Sequence, residues 1–517
     1  MKLSKYKLMI FLVLIFLASF FLRFYGMTAN YPFWVDEFFT ASQANVFLKY
    51  GLFAFNNTKV YFEYHNIIPH ILVATFFKLF GQQEWVARLP FVIIGSFVPL
   101  AVFFLARKIF NTVTAISASL LTTFSYLQIT WSRQARGYVL QQLLILTVFY
   151  LYLKIVKSPK KSTFYFALLI FILILGILTH VTFYLLILAL VIHYLFLNQF
   201  KISSILKKFW FYLVCIFFLL IIFKTGSINT LIEFYNSKSL GANNLWYYHS
   251  FLWREYGLIT FLAILGFFMG FLQKRKQFSL VVIYVFIHLL FVSFVFKPYI
   301  SRYLLPVFPI LFIAFSYTLT QLTTLMTKNK NYQTLILITI TLFIIGNGYK
   351  FVNKPKKYYS VNHDFREIAN IDYHQIYNLV KQKIQKQPPP VAIIETLPDR
   401  TGWYLGYDYQ PIYLFRWGNE EGLVNGLVKK TASVFNDKGE KVVSGTDLKL
   451  VTDLSDLRKV VKRYPQGFIF IDDWSMSKEI IDYAKENFKQ ELYLDHYPLD
   501  DNPYSIWPAT LYSWGIN

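Results

Sequence analysis

The sequence predicts a polytopic α-helical membrane protein of about eleven spans, followed by a C-terminal extracytoplasmic α/β domain. Three observations lead there. The chain of 517 residues is 56% hydrophobic, 20% aromatic and only 15% charged, against about 25% charged residues in soluble domains. Apolar stretches close to the ~20 residues of a bilayer-crossing helix recur through the first two thirds. The charge is also split. Residues 350–517 carry 22 of the 51 basic and 22 of the 28 acidic residues, which leaves 29 basic and six acidic ones in 1–349. A neutral C-terminal part and a basic apolar part speak against nucleic-acid binding. They match Lys and Arg that hold membrane loops in place.

Lys2, Lys5 and Lys7 precede an apolar run at 8–22. No small-residue cleavage site follows, so this run is expected to be an uncleaved first span. The expected spans are 8–25, 88–106, 113–131, 138–156, 162–179, 181–198, 209–223, 257–272, 278–296, 303–321 and 333–348. Alternate connections are rich in basic residues: Arg107/Lys108, Lys154/Lys157/Lys160/Lys161, Lys201/Lys207/Lys208, Lys274/Arg275/Lys276 and Lys328/Lys330. By the positive-inside rule this predicts a multi-pass protein of the cell membrane with a cytoplasmic N-terminus and residues 350–517 outside.

Two apolar stretches in the first outer loop, 26–87, are too short to span. Segment 66–80 would reverse the alternation of every later loop if it crossed, so it reads as a helix in the outer interface. Segment 36–50 reads likewise, with Asp36 as its expected N-cap and Gly51 as its stop. The domains are therefore a membrane part, 1–349, and an α/β unit, 350–517. In the latter the runs Val391–Ile394 and Phe468–Ile471 predict strands, and Lys478–Phe488 predicts a helix. The single Cys215 lies in an apolar span, which excludes an intrachain disulfide or a cysteine metal site.

The chemistry points to the outer face. The six acidic residues of the membrane part are Asp36, Glu37, Glu63, Glu84, Glu233 and Glu255, all in the expected outer loops 26–87 and 224–256. Arg88, Arg133, Arg136, Lys297 and Arg302 lie at the outer ends of spans. Ionisable groups near a bilayer are expensive and often functional, although an arginine at a span end also snorkels to headgroups. The adjacent Asp36-Glu37, set among Trp34, Phe38 and Phe39, is harder to explain as surface. Two carboxylates amid aromatics repel each other and resist desolvation, so at least one needs a cation, a metal or a substrate.

Residues 34–142 resemble the start of the GT-C glycosyltransferase superfamily, nearest in pattern to protein O-mannosyltransferases, lipid A aminoarabinose transferases and bacterial RgtA-type transferases. The matching pieces are Asp36-Glu37, the segment from His65 to Pro69 with its helix closing on Leu79-Phe80-Gly81, Ala87-Arg88-Leu89-Pro90, Ala106 to Phe110, and Arg133 to Tyr138. Later, Ser301 to Pro306 resembles the RYLLP element that opens a late span. His65-Asn66-Ile67-Ile68-Pro69 departs from the family's paired prolines and shifts the remaining one.

The resemblance implies a transferase that takes a sugar from a polyprenyl-phosphate carrier and passes it to a lipid, glycan or protein acceptor outside. The residue layout fits that demand. A phosphate leaving group needs cations, which Arg supplies bidentately, and the acceptor hydroxyl needs a base. The expected catalytic carboxylates are Asp36 and, secondarily, Glu37. Expected substrate contacts are Glu63, His65, Arg88, Arg133, Arg136, Tyr138, Arg302 and Tyr303. A divalent cation on Asp36, Glu63 or His65 is a second route that the sequence leaves open. The competing class, a transporter or lipid flippase, predicts repeated halves and ionisable residues at the bilayer midplane; neither is seen. A receptor-like protein with 350–517 as a binding module is a third reading. An O-antigen-type ligase, a fourth, would keep its functional residues in a late outer loop. In the C-terminal domain Asp399, Tyr404, Tyr407, Asp408, Asp472, Asp473 and Trp474 are of the types that touch glycans, and equally of the types that build a small core.

Overall fold

The computed structural model describes residues 5–29, 32–51, 66–157, 162–197, 243–273, 275–296, 299–357, 371–386, 390–406, 409, 411–414, 433–437, 439–443, 448–472, 476–494 and 509–516. The expected span 209–223, Cys215, Glu63, His65, Glu233, Lys297, Tyr407, Asp408, Asp473 and Trp474 lie outside them. The chain divides into two compact units. One comprises Met1–Thr28 and Glu63–Tyr359, the other Ala29–Phe62 and Ser360–Asn517. The expected boundary at 349/350 placed all of loop 26–87 with the membrane part; by packing, Ala29–Phe62 goes with the C-terminal residues instead.

The first unit is helical: α1 (Lys5–Phe24), α3 (Ile67–Phe80), α4 (Glu84–Ile109), α5 (Thr112–Phe124), α6 (Tyr126–Ser132), α7 (Tyr138–Lys157), α8 (Ser162–Ile177), α9 (Tyr184–Leu197), α10 (Leu245–Gln273), α11 (Arg275–Leu290), α12 (Phe308–Met326) and α13 (Lys330–Asn347). The α2 label belongs to Val35–Tyr50 in the second unit. Among the described residues six stretches are helical, long and apolar enough to cross a bilayer, and four more apolar helices are shorter. Met9, Ile10, Leu14, Leu17 and Phe21 on α1, and Leu258, Phe261, Phe268 and Leu272 on α10, are exposed at helical spacing. Such stripes belong against lipid, where helices satisfy their own backbone groups.

Lipid gives no hydrophobic drive to pair helices, so small residues and hydroxyls hold them together. Ser316 donates to the Ser117 hydroxyl at 3.0 Å, Ser117 and Thr341 share a hydrogen bond of 2.8 Å, and Thr114 and Thr320 one of 2.9 Å. These bonds tie α5 to α12 and α13. Gly266 of α10 lies so close to α12 that a Cβ there would sit 2.1 Å from the Ala314 carbonyl oxygen.

The expected third span, 113–131, is broken. Ser125 is extended (φ −61°, ψ 124°) between α5 and α6, and it pairs antiparallel with Phe351. Tyr126 N–H donates to Lys350 O and Val352 N–H to Phe124 O, both at 2.8 Å. The chain after α13 thus takes up the backbone groups that the break releases. The expected span at 303 begins later. Ser301–Leu304 form one 3₁₀ turn, and α12 starts at Phe308, beyond Pro306, which lacks the N–H a helix interior needs. The start expected at 257 coincides with a kink in α10 at Tyr256 (φ −135°, ψ 31°).

The second unit is an α/β sheet with helices α2, α14 (Tyr373–Ile384), α15 (Pro398–Leu405), α16 (Leu454–Arg463) and α17 (Lys478–Asn487). Its strands are β1 (Ala392–Glu395), β2 (Ile412–Leu414), β3 (Ser433–Phe435), β4 (Lys441–Val443), β5 (Leu450–Val451), β6 (Gly467–Ile471), β7 (Lys489–Leu494) and β8 (Ala509–Trp514). Six of them form a sheet of order β5-β2-β1-β6-β8-β7. The pairings β5-β2-β1-β6 are parallel, and β8 and β7 add an antiparallel edge. The unbroken apolar run of β6 is buried throughout, as a central strand covered on both faces requires. Ile394, Ile469, Leu457 and Ile480 meet in the core between sheet and helices. Both expected strands and the expected helix at 478 are present.

Candidate functional site

The acidic pair sits in the first turn of α2. The expected cap was Asp36; the N-cap position is instead Trp34. The Glu37 carboxylate reaches back to accept the Trp34 N–H at 3.5 Å, the outer limit of a hydrogen bond. Glu37 is fully buried, whereas Asp36 is partly exposed. Gly51 ends the helix with φ +56°, as expected, and its N–H bonds Phe47 O. The two carboxylates therefore differ in setting: Glu37 is buried against the start of the helix, and Asp36 is partly exposed.

Around α2 the second unit supplies aromatic neighbours. The Phe38 ring meets Tyr373 edge-on at 5.6 Å and Tyr404 at 5.7 Å, and Phe33 lies 5.0 Å from Trp403. Ser42 donates to the Asp399 carboxylate. Burial pushes the Asp399 carboxyl up, against that hydrogen bond and the nearby Arg400 charge.

In the first unit, separate elements gather at one place the residues singled out at 136–138 and 302–303. The Arg302 guanidinium is 5.6 Å from the Tyr138 ring, 5.6 Å from its neighbour Tyr303 and 5.9 Å from Trp131. Arg136 lies 6.0 Å from the same Tyr138 ring. His180 stands 5.1 Å from Tyr138. The turn carrying Arg302 is anchored from outside: His288 Nε2 bonds Tyr303 O at 2.6 Å and Gln142 Nε2 donates to Leu305 O at 2.5 Å. Two cations that share the Tyr138 ring, in a largely desolvated cluster, are groups of the kind that hold an anion flanked by apolar chain. Arg88, one turn into α4, is buried.

Arg133 is occupied differently. It donates to Tyr25 O at 2.9 Å, Lys356 O at 3.3 Å and Lys357 O at 2.7 Å. These carbonyls lie where Gly26, at φ +70°, passes Lys357 so closely that a Cβ would be 2.7 Å from its Cα. Arg133 thus clasps two backbone segments. Arg23, which was not singled out from sequence, does similar work inside the bundle. It donates to Ser132 Oγ at 3.0 Å and to Ser19 Oγ at 2.6 Å, and is fully buried. Trp131 and His180 were also missed, because an apolar context makes either look like ordinary core.

His70 on α3, the helix read as interfacial, is buried; desolvation lowers its imidazole to about 3, and the Arg136 charge acts the same way. It is neutral at pH 7, and the start of α3 lies against the turn that follows Arg136, where a Cβ on Gly137 would be 2.7 Å from Pro69 Cγ. Of the possible metal ligands, Glu63 and His65 lie outside the described residues, and among the described ones no group of three His, Cys, Asp or Glu side chains converges.

Of the C-terminal residues of glycan-binding type, Asp399 and Tyr404 pack with α2. Asp472 joins a buried ionic cluster. Arg400 donates to Glu395 at 2.9 Å, to Asp472 at 2.5 Å and to Thr396 at 2.9 Å. Tyr377 donates to Glu395 at 2.6 Å. Burial pushes the Glu395 carboxyl up and the Tyr377 hydroxyl well up, while the surrounding anions hold Arg400 firmly charged.

Residues 65–228 match the family described as Dolichyl-phosphate-mannose-protein mannosyltransferase. No curated protein matches the sequence at a significant level. Among solved structures the chain is similar to ArnT from Cupriavidus metallidurans in the apo state, with TM-score 0.60 and 12% identity over 97% of each chain. It is similar to the same protein bound to undecaprenyl phosphate, with TM-score 0.58 and 12% identity over 99% of this chain and 98% of that one. The archaeal oligosaccharyltransferase AglB from Archaeoglobus fulgidus, in complex with an inhibitory peptide and a dolichol-phosphate, gives TM-score 0.54 and 11% identity over 96% and 74%. At these identities the likeness shows the fold, and it is the fold of the GT-C glycosyltransferases.

Proposed function

We propose that this chain of GT-C fold is a membrane glycosyltransferase that moves a sugar from a polyprenyl-phosphate donor to an extracytoplasmic acceptor, inverting the anomeric centre. The observation that carries the reading is the cluster of Arg302 and Arg136 on Tyr138, Trp131 and Tyr303, in a chain whose solved relatives include one bound to undecaprenyl phosphate. We assign Arg302 and Arg136 to the donor phosphate, with Arg88 next. Arg133 we take as a backbone clasp, since its guanidinium already serves three carbonyls.

In the proposed step the acceptor hydroxyl oxygen bonds to the anomeric carbon, and the bond from that carbon to the phosphate oxygen breaks. The bonding pair leaves with polyprenyl phosphate, whose charge the arginines stabilise. Asp36 takes the hydroxyl proton as general base. Phosphate is already a good leaving group, so no strong general acid is required. We further propose about eleven spans, a cytoplasmic N-terminus and residues 350–517 outside, from the alternation of basic loops. Protease added to sealed right-side-out cells should then cut in that region. The test of function is release of polyprenyl phosphate from a sugar-linked carrier by the purified protein. A protein that translocates the intact carrier and releases none is a flippase, and the reading fails.

A further inference from the structure

We propose that the C-terminal part of the chain is a positioning platform for the acidic pair, in which Tyr373, Trp403 and Tyr404 grip Phe33 and Phe38 and so fix α2. The proposal rests on the assignment of Asp36 as base. The argument begins with α2 itself. Its sequence, Val35–Tyr50, contains valines, phenylalanines, Thr40 and Asn45, residues of modest helix propensity. Its N-cap is a tryptophan, without the oxygen that Ser, Thr, Asp or Asn would supply. At 16 residues it is near the length at which isolated helices are marginal. Packing must therefore hold it.

The packing is one-sided and specific. Phe38 and Ser42, one turn apart, face α14 and α15 of the same unit. Phe38 contacts Tyr373 and Tyr404, and Ser42 bonds Asp399 on α15. Phe33, just before the helix, meets both Phe38 and Trp403. Tyr404 is stacked in turn on Tyr377 at 4.8 Å. Tyr373 rests on Arg400, whose guanidinium is 4.9 Å from its ring and 4.9 Å from Phe470.

Arg400 lies at the ends of β1 and β6, where the parallel sheet changes direction of growth. In open α/β sheets such a switch point is a frequent ligand site. Here it is filled by the protein: each guanidinium nitrogen has a partner, on Glu395, Asp472 and Thr396. Buried ion clusters are weak stabilisers, because desolvation offsets their attraction. They are better suited to fixing geometry than to adding free energy. The order of contacts runs from Glu395 and Asp472 through Arg400 and Tyr373 to Phe38, the residue after Glu37. The sheet thereby sets the position of the helix that carries the carboxylates.

The experiment uses full-length enzyme in liposomes. Tyr404→Ala removes a grip residue far in sequence from Asp36, and Tyr404→Phe keeps the ring. Misplacing a reacting group by about 1 Å can cost up to about a hundredfold in rate. We expect Tyr404→Ala to lower kcat by about tenfold to a hundredfold, with KM for the lipid donor unchanged, and to speed amide exchange across 35–50. Tyr404→Phe should restore both. If exchange in 35–50 stays slow, or if it speeds up while kcat holds, the platform does not position the pair and the proposal falls. A second variant avoids dependence on folding of the Ala protein. In a Cys215→Ala background, Ser42→Cys with Asp399→Cys should form a disulfide on oxidation and remain active. No disulfide, or activity that returns only on reduction, overturns the proposal. Asp36→Asn run alongside separates the two ideas. If that variant turns over normally while Tyr404→Ala loses kcat, the base assignment fails and the platform stands, holding another group of α2.

Discussion

Replacing Asp36 by Asn tests the proposed chemistry with little structural disturbance. Asp36 is in the first turn of α2 but is not its cap, since that position is Trp34. The swap therefore removes one favourable charge from the helix N-terminus, worth roughly 0.3–1 kcal/mol. It leaves the Thr40 hydroxyl bond to the Asp36 backbone carbonyl, at 3.0 Å, intact. Size and polarity are kept. The chemical loss is of another order. General base catalysis contributes about 10²–10⁴ in rate, which is roughly 2.7–5.4 kcal/mol at the transition state. Turnover of a sugar-linked polyprenyl phosphate should thus fall at least about a hundredfold, with donor affinity and thermal unfolding nearly unchanged. Glu37→Gln gives the contrast. Glu37 is buried against the helix start, so its loss should appear first in the unfolding temperature. A well-folded Asp36→Asn enzyme with near-normal kcat would remove Asp36 from the mechanism and turn attention to Glu63.

Three further outcomes are expected. Arg302→Ala should weaken donor binding by about 1.5–3 kcal/mol, or about 10- to 150-fold in Kd, and Arg302→Lys should restore only part, because the ammonium lacks the planar fork that stacks on the rings; equal affinity for all three proteins, measured by titration with labelled carrier, would contradict the assignment. Gly266→Ala should destabilise the helix bundle by about 1–3 kcal/mol through overpacking, seen as a lower unfolding temperature in detergent, since its Cβ meets the Ala314 carbonyl. The C-terminal unit should lose stability in acid. At Asp456 burial acts upward, but the hydrogen bond and charge of Lys441 and the bonds from Thr452 outweigh it and hold the carboxyl below its usual range; Lys383 and Ser513 do the same for Glu491. A depressed carboxylate stabilises the fold above its unfolded value, about 4. That contribution is lost as pH falls from there through the folded value. Unfolding followed between pH 6 and 3 should show the loss, and Asp456→Asn should flatten it.

Much of this was legible in the residues. Apolar runs and their flanking lysines and arginines marked the helices at 8–25, 88–106, 138–156, 162–179 and 181–198. Short apolar runs at 391–394 and 468–471 marked two strands of the sheet. Those features are local, because hydropathy and period are properties of neighbours in the chain. Asp36-Glu37 stood out because adjacent carboxylates among aromatics are costly wherever they are placed.

Other features came only from contacts between distant residues. The helix breaks at Ser125 where Lys350 and Val352 take the backbone hydrogen bonds of its neighbours Tyr126 and Phe124. Arg133 and Arg302 look alike as arginines at span ends. One clasps backbone carbonyls and the other lies beside aromatic rings, a difference that only the folded chain shows. The partners of α2 lie more than 300 residues away in the chain. A sequence states what each segment can bury, but which surface covers it is settled when the chain closes on itself, since burial is shared between two faces and either face alone is compatible with many partners.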